Sequence, residues 1–150
     1  MLAVLAVATA AGLWWRSRNG RYTALDPALL TSDDTTVDRS SDLLRAADIG
    51  SPLGSRATFV QLSSEVCAPC RRTHAVLDRL ASEHDDLVHV DLDVTEHLDL
   101  VRRFNVLRTP TTLVLDSRGA VVGRLSGGTD RHHAVAALAH VTATSIGSQP

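Results

Sequence analysis

The sequence predicts an α/β domain with a central mixed β-sheet flanked by helices, preceded by an N-terminal transmembrane helix. Three observations carry this. Short runs rich in β-branched and apolar residues alternate with stretches whose apolar residues recur at helical spacing, the pattern of a sheet covered on both faces. The last two strands are joined by a turn too short for a crossover, so the sheet also holds an antiparallel pair. An uncharged apolar run opens the chain and ends on arginines.

At 150 residues the chain has room for one domain with short appendages, and 15 basic against 17 acidic residues leave no electrostatic footprint for nucleic acid. Aromatic residues make up 3% of the chain, so the core has to be aliphatic. Two cysteines cannot build the multi-bridge framework of a small secreted scaffold, which leaves the pair free for chemistry.

The opening run, Leu2 to Trp15 (LAVLAVATAAGLWW), is followed at once by Arg16, Arg18 and Arg21. As a helix it spans about 20 Å at ~1.5 Å per residue, against a hydrocarbon core of about 30 Å. Bilayer thinning and snorkelling side chains can absorb that deficit, and paired Trp before Arg is the composition of a membrane interface. A cleaved signal would carry its positive charge ahead of the apolar run and a small-residue site behind it. Here the order is reversed, so residues 1–21 read as an uncleaved single-pass anchor with its basic flank. The positive-inside bias places that flank, and the rest of the chain, on the cytoplasmic side of the cytoplasmic membrane, with an outward-facing domain as the alternative.

Residues 22–40 (YTALDPALLTSDDTTVDRS) are polar and without sustained periodicity, and are expected to form a flexible linker. The domain then spans residues 41–142. It opens with a short helix capped by Ser41, carrying Leu43, Leu44 and Ala47 and stopped by Gly50. Thr58 to Leu62 is a buried strand that runs into the cysteines. Cys70 to Glu83 carries Ala75, Val76, Leu77, Leu80 and Ala81 as a helical stripe. Leu87 to Val94 alternates as a strand, and Thr95 caps a helix through Leu98, Leu100, Val101 and Phe104. TTLVLDSRGAVVGRL, from Thr111, gives two strands about a turn at Ser117, Arg118 and Gly119. Asp130 caps the last helix, with Val135, Leu138 and Val141 on one face, and residues 143–150 are expected to be a disordered tail.

The chemistry concentrates in SSEVCAPCRRTH, Ser63 to His74, which holds both cysteines, Cys67 and Cys70. A thiolate is the nucleophile in disulfide exchange, and a helix N-terminus stabilises negative charge through its unpaired N–H groups and dipole. Cys67 sits at that position, and Cys70 lies one turn further in, where it can attack a mixed disulfide on Cys67. Arg71, Arg72 and His74 add positive potential or are simply a solvated helix face. A purely structural disulfide here would close a tiny loop and stabilise little. A zinc site would need a fourth ligand beside Cys67, Cys70 and His74, and no second pair of Cys or His follows at finger spacing. His132 and His133 are adjacent, so they do not share a helix face. Asp91 and Asp93 share a strand face, where one of them near the cysteines would tune proton transfer.

A strand, then Cys67-Ala68-Pro69-Cys70 opening a helix, then Thr109-Pro110 before the next strand and Gly127 closing the last one, resembles the thioredoxin family over about Thr58 to Val141. The resemblance implies a thioredoxin-like fold and a thiol-disulfide oxidoreductase that needs no cofactor beyond its own redox-active disulfide. It implies Cys67 as the attacking thiol, Cys70 as the resolving one, and Ala68 and Pro69 as the spacer of the motif. Pro110 would be cis, and the backbone of Thr109 would pair with the partner chain. The implied partners are a disulfide-containing protein substrate and an electron-donating reductase, with the membrane reached through the N-terminal helix. Three positions depart from the family pattern. Val66 stands where a Trp usually precedes the first cysteine, Ser63 replaces another aromatic, and Gln61 takes the place of a buried Asp. Without that carboxylate, the proton of Cys70 needs water or another base. The competing reading is a carrier or binding module on the same fold, holding a metal ion such as copper, or a persulfide sulfur, on Cys67.

Overall fold

The computed structural model describes residues 2–18, 22–24 and 43–146. Helix α1 covers Leu2–Arg18. Its 17 residues span roughly 26 Å, and two of them, Arg16 and Arg18, are charged. Among the described residues no helix is long and apolar enough to cross a membrane. The expected transmembrane anchor, the single-pass location, its orientation and the membrane as a partner are therefore corrected. The uncharged run ends at Trp15 and is too short, and the bias of its arginines has no span to orient.

The segment read as a linker begins with a strand, β1, Tyr22–Ala24. Three residues are too few for an alternating pattern to register in the sequence. Tertiary contacts make this one visible. Tyr22 stacks on His140 with ring centroids 4.8 Å apart and donates its hydroxyl to the carbonyl of Val122 at 3.2 Å. The remainder of the segment, and Ser41 with its expected capping role, lie outside the described residues.

Helix α2 is short, Ala46–Ile49. It is capped by Asp48, whose carboxylate accepts from the Arg45 N–H at 2.8 Å, and ended by Gly50 in the left-handed region at φ 65°. Strand β2 (Ala57–Ser63) is buried throughout and leads directly into α3 (Ala68–Ser82). Strand β3 (Leu87–Asp93) precedes α4 (Leu98–Arg103). Thr95 does not cap α4. It donates through both its N–H and its hydroxyl to Asp93 Oδ1, at 2.7 and 2.6 Å, and His97 takes the N-cap position. Strands β4 (Thr111–Asp116) and β5 (Val121–Ser126) form the expected hairpin, and α5 runs Arg131–Ile146. Asp130 Oδ1 accepts from the His133 N–H at 2.9 Å and so caps α5. That helix continues past Thr142, where the sequence reading ends the domain.

The sheet order is β1-β5-β4-β2-β3, with β2 and β3 parallel and the other neighbours antiparallel. A mixed sheet with helices on both faces is thus observed. One face packs Phe59, Val114 and Leu125 with Leu77 and Leu80 of α3 and Ala134, Ala137, Leu138 and Val141 of α5. The other packs Val60, Leu62, Leu113 and Leu115 with Leu44, Ile49, Leu100 and Phe104. Two expected stripes shift by a residue or two. Helix α3 buries Cys70, Thr73, Leu77 and Leu80 while Ala75 is exposed, and α5 buries Ala134 and Ala137 while Val135 is exposed.

The β4–β5 turn is built on Asp116, 4% exposed. Its Oδ1 accepts from the N–H groups of Arg118 and Ala120, each at 2.9 Å, and its Oδ2 from Arg118 Nη2 at 2.9 Å.

Candidate redox active site

Strand β2 delivers the chain to the N-terminus of α3, where Cys67 and Cys70 form a disulfide with Cα atoms 5.2 Å apart. Cys67 is the N-cap of α3: its backbone is extended, its Sγ accepts from the Cys70 N–H at 3.1 Å, and Pro69 falls in the first turn. Proline is tolerated there because the N–H it lacks has no intrahelical partner in any case. The cap places the Cys67 sulfur against the unpaired N–H groups of a 15-residue helix, where developing thiolate charge is stabilised. Cys67 is 8% exposed and Cys70 3%.

Two further loops converge on this corner. The Thr109–Pro110 peptide bond is cis. Thr109 Oγ1 lies 3.3 Å from Ser64 Oγ, in the loop leading to Cys67, and the carbonyl of Pro110 accepts from the Gly127 N–H at 2.8 Å. Gly127 has φ 91°, in the region that favours glycine, so its role at the end of β5 is a backbone one. Thr129 donates its N–H to Thr73 Oγ1 of α3 at 3.0 Å, fastening the third loop to the helix that carries the cysteines. Cys67, Ala68, Pro69 and Cys70 at the start of α3 and Thr109 and Pro110 in the second loop therefore share one end of the sheet with the Gly127–Thr129 loop. Val66 is 97% exposed and Leu107 84%, so apolar side chains stand out beside both the disulfide and the Thr109–Pro110 loop.

Behind the disulfide, Gln61 of β2 is fully buried. Its Nε2 donates to Ser63 Oγ at 2.7 Å and to the carbonyl of Cys70 at 3.1 Å, with a longer contact of 3.4 Å to Asp91 Oδ2, while its Oε1 is buried without a partner. The parallel pairing of β2 and β3 sets Gln61 opposite Asp91 and Ser63 opposite Asp93. The two aspartates then diverge. Asp93 is drawn into the turn by Thr95, which holds its carboxyl below the usual range, whereas Asp91 lies 2.9 Å from His74 Nδ1. His89 meets His74 edge-on, with ring centroids 5.0 Å apart. Burial, and then the neighbouring His74, lower its pKa to about 4. It stands mid-strand with a buried Nε2 that has no partner.

The grouping of Gln61, Asp91, His74 and His89 is absent from any linear motif. The period-two spacing of β3 carried a trace of it, but the register against β2 was needed to select Asp91. Ser64, Thr73 and Thr129 escaped sequence reading altogether, because isolated hydroxyls carry no spacing signal. Among the described residues, the His and carboxylate ligand atoms of Asp130, His132 and His133 come within 4.8 Å of one another, so adjacency along the helix did not keep the two imidazoles apart.

The thioredoxin family model matches residues 51–140, which contain all of this geometry. The chain belongs to the thioredoxin family. It is 30% identical to thioredoxin of Mycolicibacterium smegmatis over 101 residues, covering 65% of this chain and 87% of that protein. It is 37% identical to Thioredoxin H2 of Arabidopsis thaliana over 73 residues, and there it spans 49% of this chain and only about half, 54%, of the relative. Among solved structures, thioredoxin NaTrxh of Nicotiana alata superposes with a TM-score of 0.51 at 27% identity, over 57% of this chain and 74% of that one. Spinach chloroplast thioredoxin f, long form, gives 0.53 at 22% over 59% and 73%, which speaks to the fold alone. These likenesses carry the family and not a membrane-tethered or Cys-Ala-Pro-Cys subtype of it. The thioredoxin fold and the redox-active Cys67–Cys70 disulfide support thiol-disulfide oxidoreductase activity.

Proposed function

We propose that this protein reduces a disulfide in a partner protein, with Cys67 as the attacking thiol and Cys70 as the resolving one. The observation that carries the reading is the position of the Cys67 sulfur as the cap of α3. An external dithiol first reduces the Cys67–Cys70 bond. The Cys67 thiolate then attacks one sulfur of the partner's disulfide, forming a mixed disulfide and expelling the other sulfur as a thiolate that takes up a proton. Cys70 gives up its own proton and attacks Cys67 Sγ. The Cys67–Cys70 bond re-forms, and the partner leaves with both cysteines reduced.

Thr109 and Pro110 would hold the partner's backbone beside the disulfide, in keeping with their link to Ser64 and with the exposed Val66 and Leu107 on the rim. An aliphatic rim at these positions favours partners with small apolar residues around the target cysteine. Cys70→Ser tests the assignment. Attack by Cys67 survives while resolution is lost, so the variant is expected to accumulate a mixed disulfide with a substrate protein that gel mobility resolves and dithiothreitol releases. A Cys67→Ser protein that accumulates the same adduct would reverse the two roles, and a Cys70→Ser protein that turns over like the wild type would contradict resolution by Cys70.

A further inference from the structure

Gln61 cannot do what a carboxylate would do behind Cys70. An amide offers hydrogen bonds but takes up no proton near neutral pH, and resolution requires the Cys70 proton to leave. Cys70 and His74 stand one turn apart on α3, an i, i+4 pair whose Cβ atoms lie about 5–6 Å apart on one face. His74 Nδ1 is 2.9 Å from Asp91 Oδ2. With its proton on Nδ1, toward the carboxylate, the imidazole keeps its lone pair on Nε2, the tautomer a base requires. Asp91 touches Gln61 Nε2 at 3.4 Å, and the same Nε2 donates to the Cys70 carbonyl at 3.1 Å. Gln61, Asp91 and His74 thus form a continuous chain of contacts that starts at the Cys70 backbone carbonyl and ends one turn along the same helix.

The other groups near His74 suit this role. Strand β3 contributes Asp91 and His89, and burial holds His89 neutral down to about pH 4, so it adds no charge beside the pair. Helix α3 contributes Arg71 and Asp78 one turn to either side, charges of opposite sign, and β2 contributes the uncharged Gln61. Helix α5 meets α3 through the apolar cluster of Leu77, Leu80, Ala134 and Ala137. The His74 side chain is 49% exposed, so a proton it accepts can pass to water.

We propose that His74, oriented by Asp91, accepts the proton of the Cys70 thiol as Cys70 resolves the mixed disulfide, with Asp91 and Gln61 as positioning residues. This rests on the oxidoreductase reading above. The proton moves from Cys70 to His74, the sulfur electron pair forms the bond to Cys67 Sγ, and the pair of the broken mixed disulfide departs on the partner's sulfur. His74 then returns its proton to water or to the departing thiolate.

The test is stopped-flow reaction of the reduced full chain with 5,5′-dithiobis(2-nitrobenzoate), from about pH 5 to pH 8, the span over which imidazole ordinarily titrates. The first release of the aromatic thiol reports attack by Cys67 and the second reports resolution by Cys70. His74→Gln and Asp91→Asn are expected to slow the second release about tenfold or more and to remove a break in its pH profile, while the first release is unchanged. Asp91→Glu keeps the carboxylate and is expected to retain both features. A second release with the wild-type rate and pH profile in His74→Gln would overturn the proposal and leave the oxidoreductase reading standing. Equal loss of both releases in all three variants would make the effect structural and overturn it as well. If the wild-type chain gives no second release, the oxidoreductase reading fails and this one with it.

Discussion

His89 shows how a single side chain ties the redox corner to the stability of the fold. Its imidazole is held neutral by burial, with a folded-state pKa of about 4 against an ordinary value of 6.5. Because the folded form binds its proton less readily than the unfolded chain, the unfolded state carries more bound protons between those two values. Stability is therefore full above about pH 6.5 and falls as pH drops toward 4, by about 2 kcal/mol from this group after allowing for its partial exposure. Denaturant midpoints measured at pH 7 and near pH 4.5 are expected to differ accordingly, and His89→Gln is expected to flatten that slope. An unchanged slope would assign the acid sensitivity to other groups. At the same scale, the cysteines and the Thr109-Pro110 pair were legible because they form contiguous motifs. The Gln61–Asp91–His74 chain of contacts was not, since its members are brought together by strand register and helix pitch.

Among the elements, the strands and helices from Ala57 onward were legible from their periodicity to within a residue or two, because each is long enough to bury a face, apart from the end of α5, which runs on to Ile146. The exceptions have local causes. Asp93 captures Thr95 and leaves the start of α4 to His97, and α5 buries alanines whose small side chains carry little apolar signal. Strand β1 went unseen because its three residues are held by a contact remote in sequence, and Gly123 on β5 makes that contact possible. A Cβ at Gly123 would run into the ring of Tyr22. Gly123→Ala is thus expected to detach β1, raise amide exchange at Tyr22–Ala24 and across the facing edge of β5, and cost about 1–3 kcal/mol, the range for overpacking a close contact. Protection at those amides equal to the wild type would show that the edge accommodates the methyl group.

For the whole molecule, the mixed sheet with helices on both faces brings the start of α3, the Thr109–Pro110 loop and the Gly127–Thr129 loop to one end. Everything the proposed chemistry uses lies there. The N-terminal helix was misjudged at this scale: hydropathy and flanking arginines imitate an anchor, but length decides, and 17 residues that include two charges do not form a span. In the proposed function, Cys67 and Cys70 cycle between dithiol and disulfide as an electron donor to partner proteins. The most direct measurement is the reduction potential of the pair in the full chain, equilibrated against dithiothreitol and glutathione mixtures and read by thiol labelling. A reversible two-electron transition near or below about −270 mV is expected. A potential between about −180 and −120 mV would contradict the reducing direction, and the absence of any reversible transition would contradict the redox assignment itself.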